Sequence, residues 1–370
     1  MAPKKNKYQP SIVFHPGETL SERLEELGMG RKEFAVRSGK PEKTIFAILK
    51  GESSITPEMA VQFENVLQIP AHFWLNKQRS YDEYIARQKQ EKLLEEAEDW
   101  ARKFPYADMA KKGWVPKTRK APEKAKYLFS FFAISNYTSW GSYYVEKQLK
   151  VAFRISLKHT KQPYAVSAWL RKGELQAAEL SVNSFDKKAL KALLPKIKKI
   201  MAEQPADFFK TLQNLCAEVG VKLVYTPTIE KAPINGSTRW LGDTPLVQLS
   251  NRYKRNDIFW FTLFHELGHI LLHGKKDIFL EDVKYVKGTS MSKAAKQKEQ
   301  EADDFSSDWL LSKKDEEEIL NATSLDRTKI IEFAKKFGTH PGIIIGRLQH
   351  EKVIDYSEGR DLIEPIKFEA

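Results

Sequence analysis

The chain has 370 residues, 30% of them charged and 41% hydrophobic, with a formal net charge of +12 and a single cysteine, Cys216. That length and balance exclude a disordered chain and a single small core, and one cysteine excludes an intrachain disulfide, which fits a reducing compartment. The start MAPKKNKYQP lacks the apolar core of a signal peptide, and no run of about 18 apolar residues occurs, so a cytoplasmic protein with no membrane partner is expected.

Residues 1–10 read as a basic tail, and residues 11–80 as an all-α module of short helices. Leu20, Leu24 and Leu27 share one helix face, ended by Gly28. Arg31–Ser38 and Glu42–Leu49 follow, stopped by Gly39 and Gly51, with Ile45, Ile48 and Leu49 inward. Thr56 is an N-cap with Pro57 at the first helical position, opening a helix through Met59, Phe63 and Val66. Pro70 opens a fifth helix that runs on as a charged connector over 81–105.

Residues 106–220 form a basic, mixed helical region. Residues 101–200 hold 22 Lys+Arg against 6 Asp+Glu, a surplus that attracts polyanions. Helical patterns lie near 123–133 and 186–219, and β-rich pieces near 151–156 and 221–226. The basic segment around Trp114 suits either a phosphate-contacting arm or a solvated linker. WLRKGE at 169–174 has no account in its own residue pattern. Strands are expected at 236–241 and 245–250, then helices over about Ile258–His273 and Lys293–Leu311, within a core spanning 221–311. A C-terminal helical region covers 312–370. The fold class is therefore mainly α with a small β-sheet (α+β).

The helix near Ile258–His273 contains HELGH. Positions i and i+4 lie about 40° apart around a helix and about 6 Å along it, so His265 and His269 can aim at one metal ion. Zinc suits two imidazoles at about 2.0–2.1 Å. Glu266, next to the first histidine, can reach a metal-bound water and act as general base. The flanks are apolar on every side, so the helix is buried and its two histidines and glutamate need satisfying partners. Gly268 predicts a close approach by a neighbour. His273 lies about 12 Å along the axis from His265 and reads as the helix cap before Gly274. His15, His72, His159, His340 and His350 read as surface or core histidines.

DIFWFTLFHELGHILLHGKK, followed by EQEADDFSSDWLL, resembles the ImmA/IrrE metallopeptidases, a likeness that extends upstream to GSTRWLGDTPLVQLSNRYK and downstream to PGIIIGRLQHEKVI. HPGETLSERLEELG with ITPEMAVQFENVLQIPAHFWLNKQ resembles the helix-turn-helix of HigA-like antitoxins of the Xre type. The two likenesses imply an N-terminal helix-turn-helix domain joined to a gluzincin-like zinc metallopeptidase domain with a glutamate as third ligand. They also imply an endopeptidase that cuts a cognate helix-turn-helix repressor or antitoxin-type protein. The alternative is a DNA-binding antitoxin or regulator whose peptidase-like domain senses a signal.

A helical wheel on EQEADDFSSDWLL separates the two candidate ligands. Glu299 falls at about +60°, inside the apolar band, and Glu301 at about −100°, outside it, so Glu299 is expected to be the third metal ligand. Asp303, at about +100°, is placed to accept the N–H of a ligating histidine. If the N-terminal module reads DNA, the helix Glu42–Leu49 enters the major groove with Lys40, Lys43, Thr44 and Lys50 toward duplex DNA and Arg31 toward a phosphate, as a homodimer. Arg31 and Phe46 depart from residues common in the family. A dimerising or protein-binding module is the other reading. The strand pair before HELGH predicts a protein substrate added in extended form along the sheet edge.

Overall fold

The computed structural model describes residues 13–147, 162–275, 279–280 and 293–368, in two compact units, Met1–Glu96 and Ala97–Ala370. The expected basic tail, the β-rich piece at 151–156 and His159 lie outside the described residues.

The first unit holds α1 (Pro16–Glu26), α2 (Arg31–Ser38), α3 (Glu42–Leu49), α4 (Pro57–Leu67) and α5 (Ala71–Glu96). Punctuation residues set these limits. Thr56 accepts the N–H of Met59 at the start of α4, and Gly39 closes α2 in the left-handed conformation. The His15 ring caps α1 by accepting the N–H of Gly17 at 2.9 Å, and any Cβ on Gly17 would lie 1.9 Å from the carbonyl oxygen of Ile48. Leu20, Phe34, Ile45, Ile48, Phe63 and Trp74 are completely buried together. Leu27 departs from the expected face. It is the residue after the last helical turn of α1, where the wheel no longer sets its direction, and it is 43% exposed. Residues 81–96 continue α5 without a break, and the helix ends at Glu96 rather than near residue 105.

The second unit begins with α6 (Glu98–Ala101), α7 (Tyr106–Lys111), α8 (Ala121–Phe132), α9 (Tyr137–Trp140) and a π-helical turn over Gly141–Lys147. Trp100, Phe104, Phe132 and Trp140 pack edge to face or tilted among them. Next come α10 (Pro163–Ala178), α11 (Lys187–Glu203) and α12 (Phe208–Glu218), then β1 (Lys222–Tyr225), β2 (Gly236–Leu241) and β3 (Thr244–Leu249). Helix α13 (Asn256–His273) and the two-residue β4 (Phe279–Leu280) precede α14 (Lys293–Leu310), α15 (Lys313–Leu320), α16 (Arg327–Phe337) and α17 (Pro341–His350).

The sheet has the order β1-β3-β2-β4, with β1 and β3 parallel and the other pairs antiparallel. Strand alternation divides its residues between two layers. Val247 and Leu249 join Trp260, Leu263, Phe264 and Leu267 of α13 in the main core, whereas Leu246 joins Ala177 of α10. Strand β4 pairs with Ser237 and Thr238, so the edge of β2 beside α13 is taken there by the chain's own backbone, where the strand pair predicts an added substrate strand.

The α10 layer explains WLRKGE. Trp169 donates to the carbonyl of Thr226 at 3.1 Å, and the carbonyls of Trp169 and Leu170 accept from Gln248 and from the fully buried Arg239 at 2.7 and 2.6 Å. Arg171 donates to the carbonyl of Phe131 and pairs with Glu174. Any Cβ on Gly173 would lie 2.1 Å from the Gln248 side chain. The segment pins a helix to a sheet through polar groups that only the tertiary fold brings together.

The C-terminal region does more than continue the helices. Beyond α17 the chain returns to the start of α13, where Asn256 donates its N–H to the carbonyl of Glu364 and Arg255 bridges Pro365. His340 caps α17 and lies 3.1 Å from the Asn256 amide.

Candidate functional site

Helix α13 is apolar all round, and its polar residues are buried with it. His265 is 2% exposed, and Glu266 and His269 are completely buried. Burying such groups costs several kcal/mol unless they are satisfied, roughly 2–7 for a neutral polar group and more for a charge. The structure shows what surrounds them.

The Nε2 atoms of His265 and His269 face each other at 2.9 Å, and Glu299 Oε2 lies 3.3 Å from the first and 3.6 Å from the second. One ligand atom from each of the three residues falls within 4.8 Å of the others. Glu299 reaches them because α14 packs along α13, with Ala302, Ser306 and Leu310 of α14 buried. Gly268 permits that packing, since any Cβ there would come within 2.9 Å of the Phe305 ring. Two nitrogen lone pairs and a carboxylate oxygen converging on one point form a donor set suited to a divalent cation. Glu299 Oε1 is also buried and takes no hydrogen bond from any described residue. The residues present therefore fit a metal ion.

Ionisation favours the same arrangement. Burial pushes the His269 imidazole down to about 4, against the pull of Glu299, so the ring is neutral at neutral pH. Burial opposes ionisation of Glu299, but hydrogen bonds with His265 and His269 outweigh it and hold the carboxyl at about 2. Neutral imidazoles and an ionised carboxylate are the forms that bind metal.

Asp303 stands one turn beyond Glu299, its Oδ1 2.9 Å from His265 Nδ1. Glu266 lies deep against β2. Any Cβ on Gly236 would sit 2.7 Å from its Oε1 and 2.5 Å from the Thr262 methyl, and Thr238 donates to its main-chain carbonyl. Glycine at 236 thus makes the space that the carboxylate occupies, a role with no signal in the sequence.

His273 does not cap its helix. The residue after it, Gly274, takes φ 75° and ψ −169°, and the His273 side chain, 3% exposed, turns back along α13. Its Nδ1 lies 2.9 Å from His269 Nδ1, and its Nε2 lies 2.9 Å from Oε2 of the exposed Glu301. The axial spacing that keeps His273 from a shared metal puts it one turn beyond His269, in reach of that ring.

In the first unit the residues expected to face DNA lie on or beside α3. Arg31 pairs with Glu42 at 3.1 Å, and its guanidinium lies 4.9 Å from the Phe46 ring centre. Lys50 covers the same ring at 4.4 Å. Lys43 is exposed and Thr44 half-buried, while Lys40 is drawn to Glu58 of α4 at 2.7 Å. The structure thus brings Arg31 and Lys50 together around an exposed aromatic ring and ties Lys40 elsewhere. Around Trp114, Lys112 pairs with Asp108 and Lys120 with Glu123, while the ring stacks parallel to Phe131 at 6.5 Å.

Among the described residues no helix is long and apolar enough to cross a membrane. Residues 216–349 match the Peptidase_M78 family, described as an IrrE N-terminal-like domain, and residues 20–74 match the helix-turn-helix family. A 66-residue stretch is 33% identical to the uncharacterized HTH-type transcriptional regulator YddM of Escherichia coli K12, covering 18% of this chain and 70% of that protein. Similar solved structures include an addiction module antidote protein of the HigA family from Coxiella burnetii, 36% identical, covering 22% of this chain and 91% of that one, with a TM-score of 0.21. The antitoxin HigA of Pseudomonas aeruginosa, solved with the higBA promoter, is 27% identical over 22% of this chain and 89% of that one, also at 0.21.

Proposed function

We propose that this chain, which belongs to the helix-turn-helix regulators and carries an IrrE-type Peptidase_M78 domain, is a zinc-dependent endopeptidase that acts on a repressor or antitoxin-type protein. The observation that carries the reading is the convergence of His265, His269 and Glu299 beside the buried Glu266. His265, His269 and Glu299 hold the metal. Zinc, when bound, supplies a Lewis acid and lowers the pKa of a coordinated water to about 7. The Glu266 carboxylate takes the proton of the attacking water and passes it to the departing amine nitrogen. Asp303 accepts the N–H of His265 Nδ1 and fixes which ring nitrogen faces the metal. The N-terminal unit binds duplex DNA as a homodimer, with α3 in the major groove and Arg31, Lys43, Thr44 and Lys50 toward the DNA.

The test incubates the full chain and its Glu266→Gln variant with zinc and candidate helix-turn-helix repressors. Cleavage by the native chain alone supports the reading. A regulator that only senses through its peptidase-like domain gives DNA binding with no cleavage in either sample.

A further inference from the structure

We infer that His273 and Glu301 are positioning residues for the metal site, forming a histidine–carboxylate relay that fixes the tautomer and orientation of His269. The inference rests on the reading of His265, His269 and Glu299 as metal ligands.

The Nε2 atoms of His265 and His269 converge with Glu299 Oε2, and as metal ligands each presents its lone pair there and carries its proton on Nδ1. Each Nδ1–H then needs an acceptor, because a ligating histidine is held by the hydrogen bond its other nitrogen makes. For His265 that acceptor is Asp303 Oδ1 at 2.9 Å. For His269 the acceptor 2.9 Å from Nδ1 is Nδ1 of His273, itself an imidazole.

An imidazole accepts at one nitrogen only when the other carries the proton. His273 must therefore be protonated at Nε2, and Glu301 Oε2, 2.9 Å away, accepts from it. The chain Glu301–His273–His269 thus assigns the proton on each ring. The second ligand is held through a two-step relay where the first is held by a carboxylate directly. His273 follows His269 by four residues on α13 and lies beside it, the two rings tilted by 50° with centres 5.1 Å apart, while Glu301 stands on the solvent side of α14.

The expected consequences are measurable without a substrate. Zinc affinity of the full chain is determined by competition with a chelator, beside the d–d spectrum of the cobalt-loaded protein. His273→Leu removes the acceptor and is expected to weaken zinc binding about 10–100-fold and to alter the cobalt spectrum. His273→Asn restores an acceptor oxygen near the Nδ1 position and is expected to recover most of the affinity. Glu301→Gln, an exposed change that leaves the fold intact, keeps an acceptor and is expected to cost only a few-fold, whereas Glu301→Leu loses more. Unchanged zinc affinity and cobalt spectrum in both His273→Leu and Glu301→Leu overturn the relay. So does equal loss in His273→Leu and His273→Asn with Glu301→Leu unaffected, since that pattern reports packing alone. A native chain that binds no zinc, or His269→Ala that still binds it, overturns the metal reading instead.

Discussion

Helices α13 and α3 carry the two sets of polar residues on which the proposed functions rest, and the structure treats them in opposite ways. On α13 every polar side chain of HELGH is buried and aimed, and its neighbours on α14 are held in register by packing at Gly268. On α3 the polar groups are exposed or half-buried and tied by single surface pairs such as Arg31 with Glu42. The difference matches what each proposed role requires. A site that moves protons needs its groups placed before the substrate arrives, in a setting where water cannot screen them. A surface that meets a polyanion gains from exposed cations whose pairs exchange at low cost, since exposed ion pairs contribute about 0–1 kcal/mol each.

On that contrast, single changes on α13 are expected to be severe and single changes around α3 graded. The largest effect is expected for Glu266→Gln. Cleavage should fall about 10²–10⁴-fold while metal content, measured by elemental analysis, stays at the native level. Undiminished cleavage would move the general base elsewhere.

Next in size is metal loss. His265→Ala, His269→Ala and Glu299→Gln should each empty the site after dialysis against a mild chelator, whereas Glu301→Gln should keep its ion at saturating zinc. Retention in Glu299→Gln with loss in Glu301→Gln would reverse the assignment of the two glutamates.

Smaller still is the expected effect at the DNA face. In the full chain, Arg31→Ala should weaken duplex binding across all sequences and lower the salt slope by about one unit, as the loss of one phosphate contact does. A sequence-selective loss with an unchanged slope would instead make Arg31 a base reader.

The smallest effect concerns acid stability of the first unit. Burial pushes the His15 imidazole below its ordinary value, against Asp82 and Glu18, so the unfolded chain takes up the proton more readily than the folded one. Stability from a neutral His15 is therefore complete above about pH 6.5 and declines as pH falls from there toward the lowered folded value. His15→Asn, which keeps a side-chain acceptor for the Gly17 N–H, should flatten the decline seen in thermal unfolding of that unit.

The limits of α2, α3 and α4 were written in the sequence, because they are set by residues that act on their own backbone, such as Gly39, Thr56 and Pro57. HELGH was legible for the same reason, since the i, i+4 spacing is a property of one helix. The helical wheel put Glu299 on the inner face of α14 because burial of that face follows the same periodicity. Tertiary structure decided the rest, at places where a residue's role depends on a partner far along the chain. Gly236 matters because Glu266, thirty residues on, needs its missing Cβ, and WLRKGE because Gln248 and Arg239 need its carbonyls. His273 reads as a helix cap until α14 brings Glu301 beside it. Periodicity and punctuation are local and survive in one dimension, whereas the pairing of buried donors with acceptors is fixed only when the elements meet.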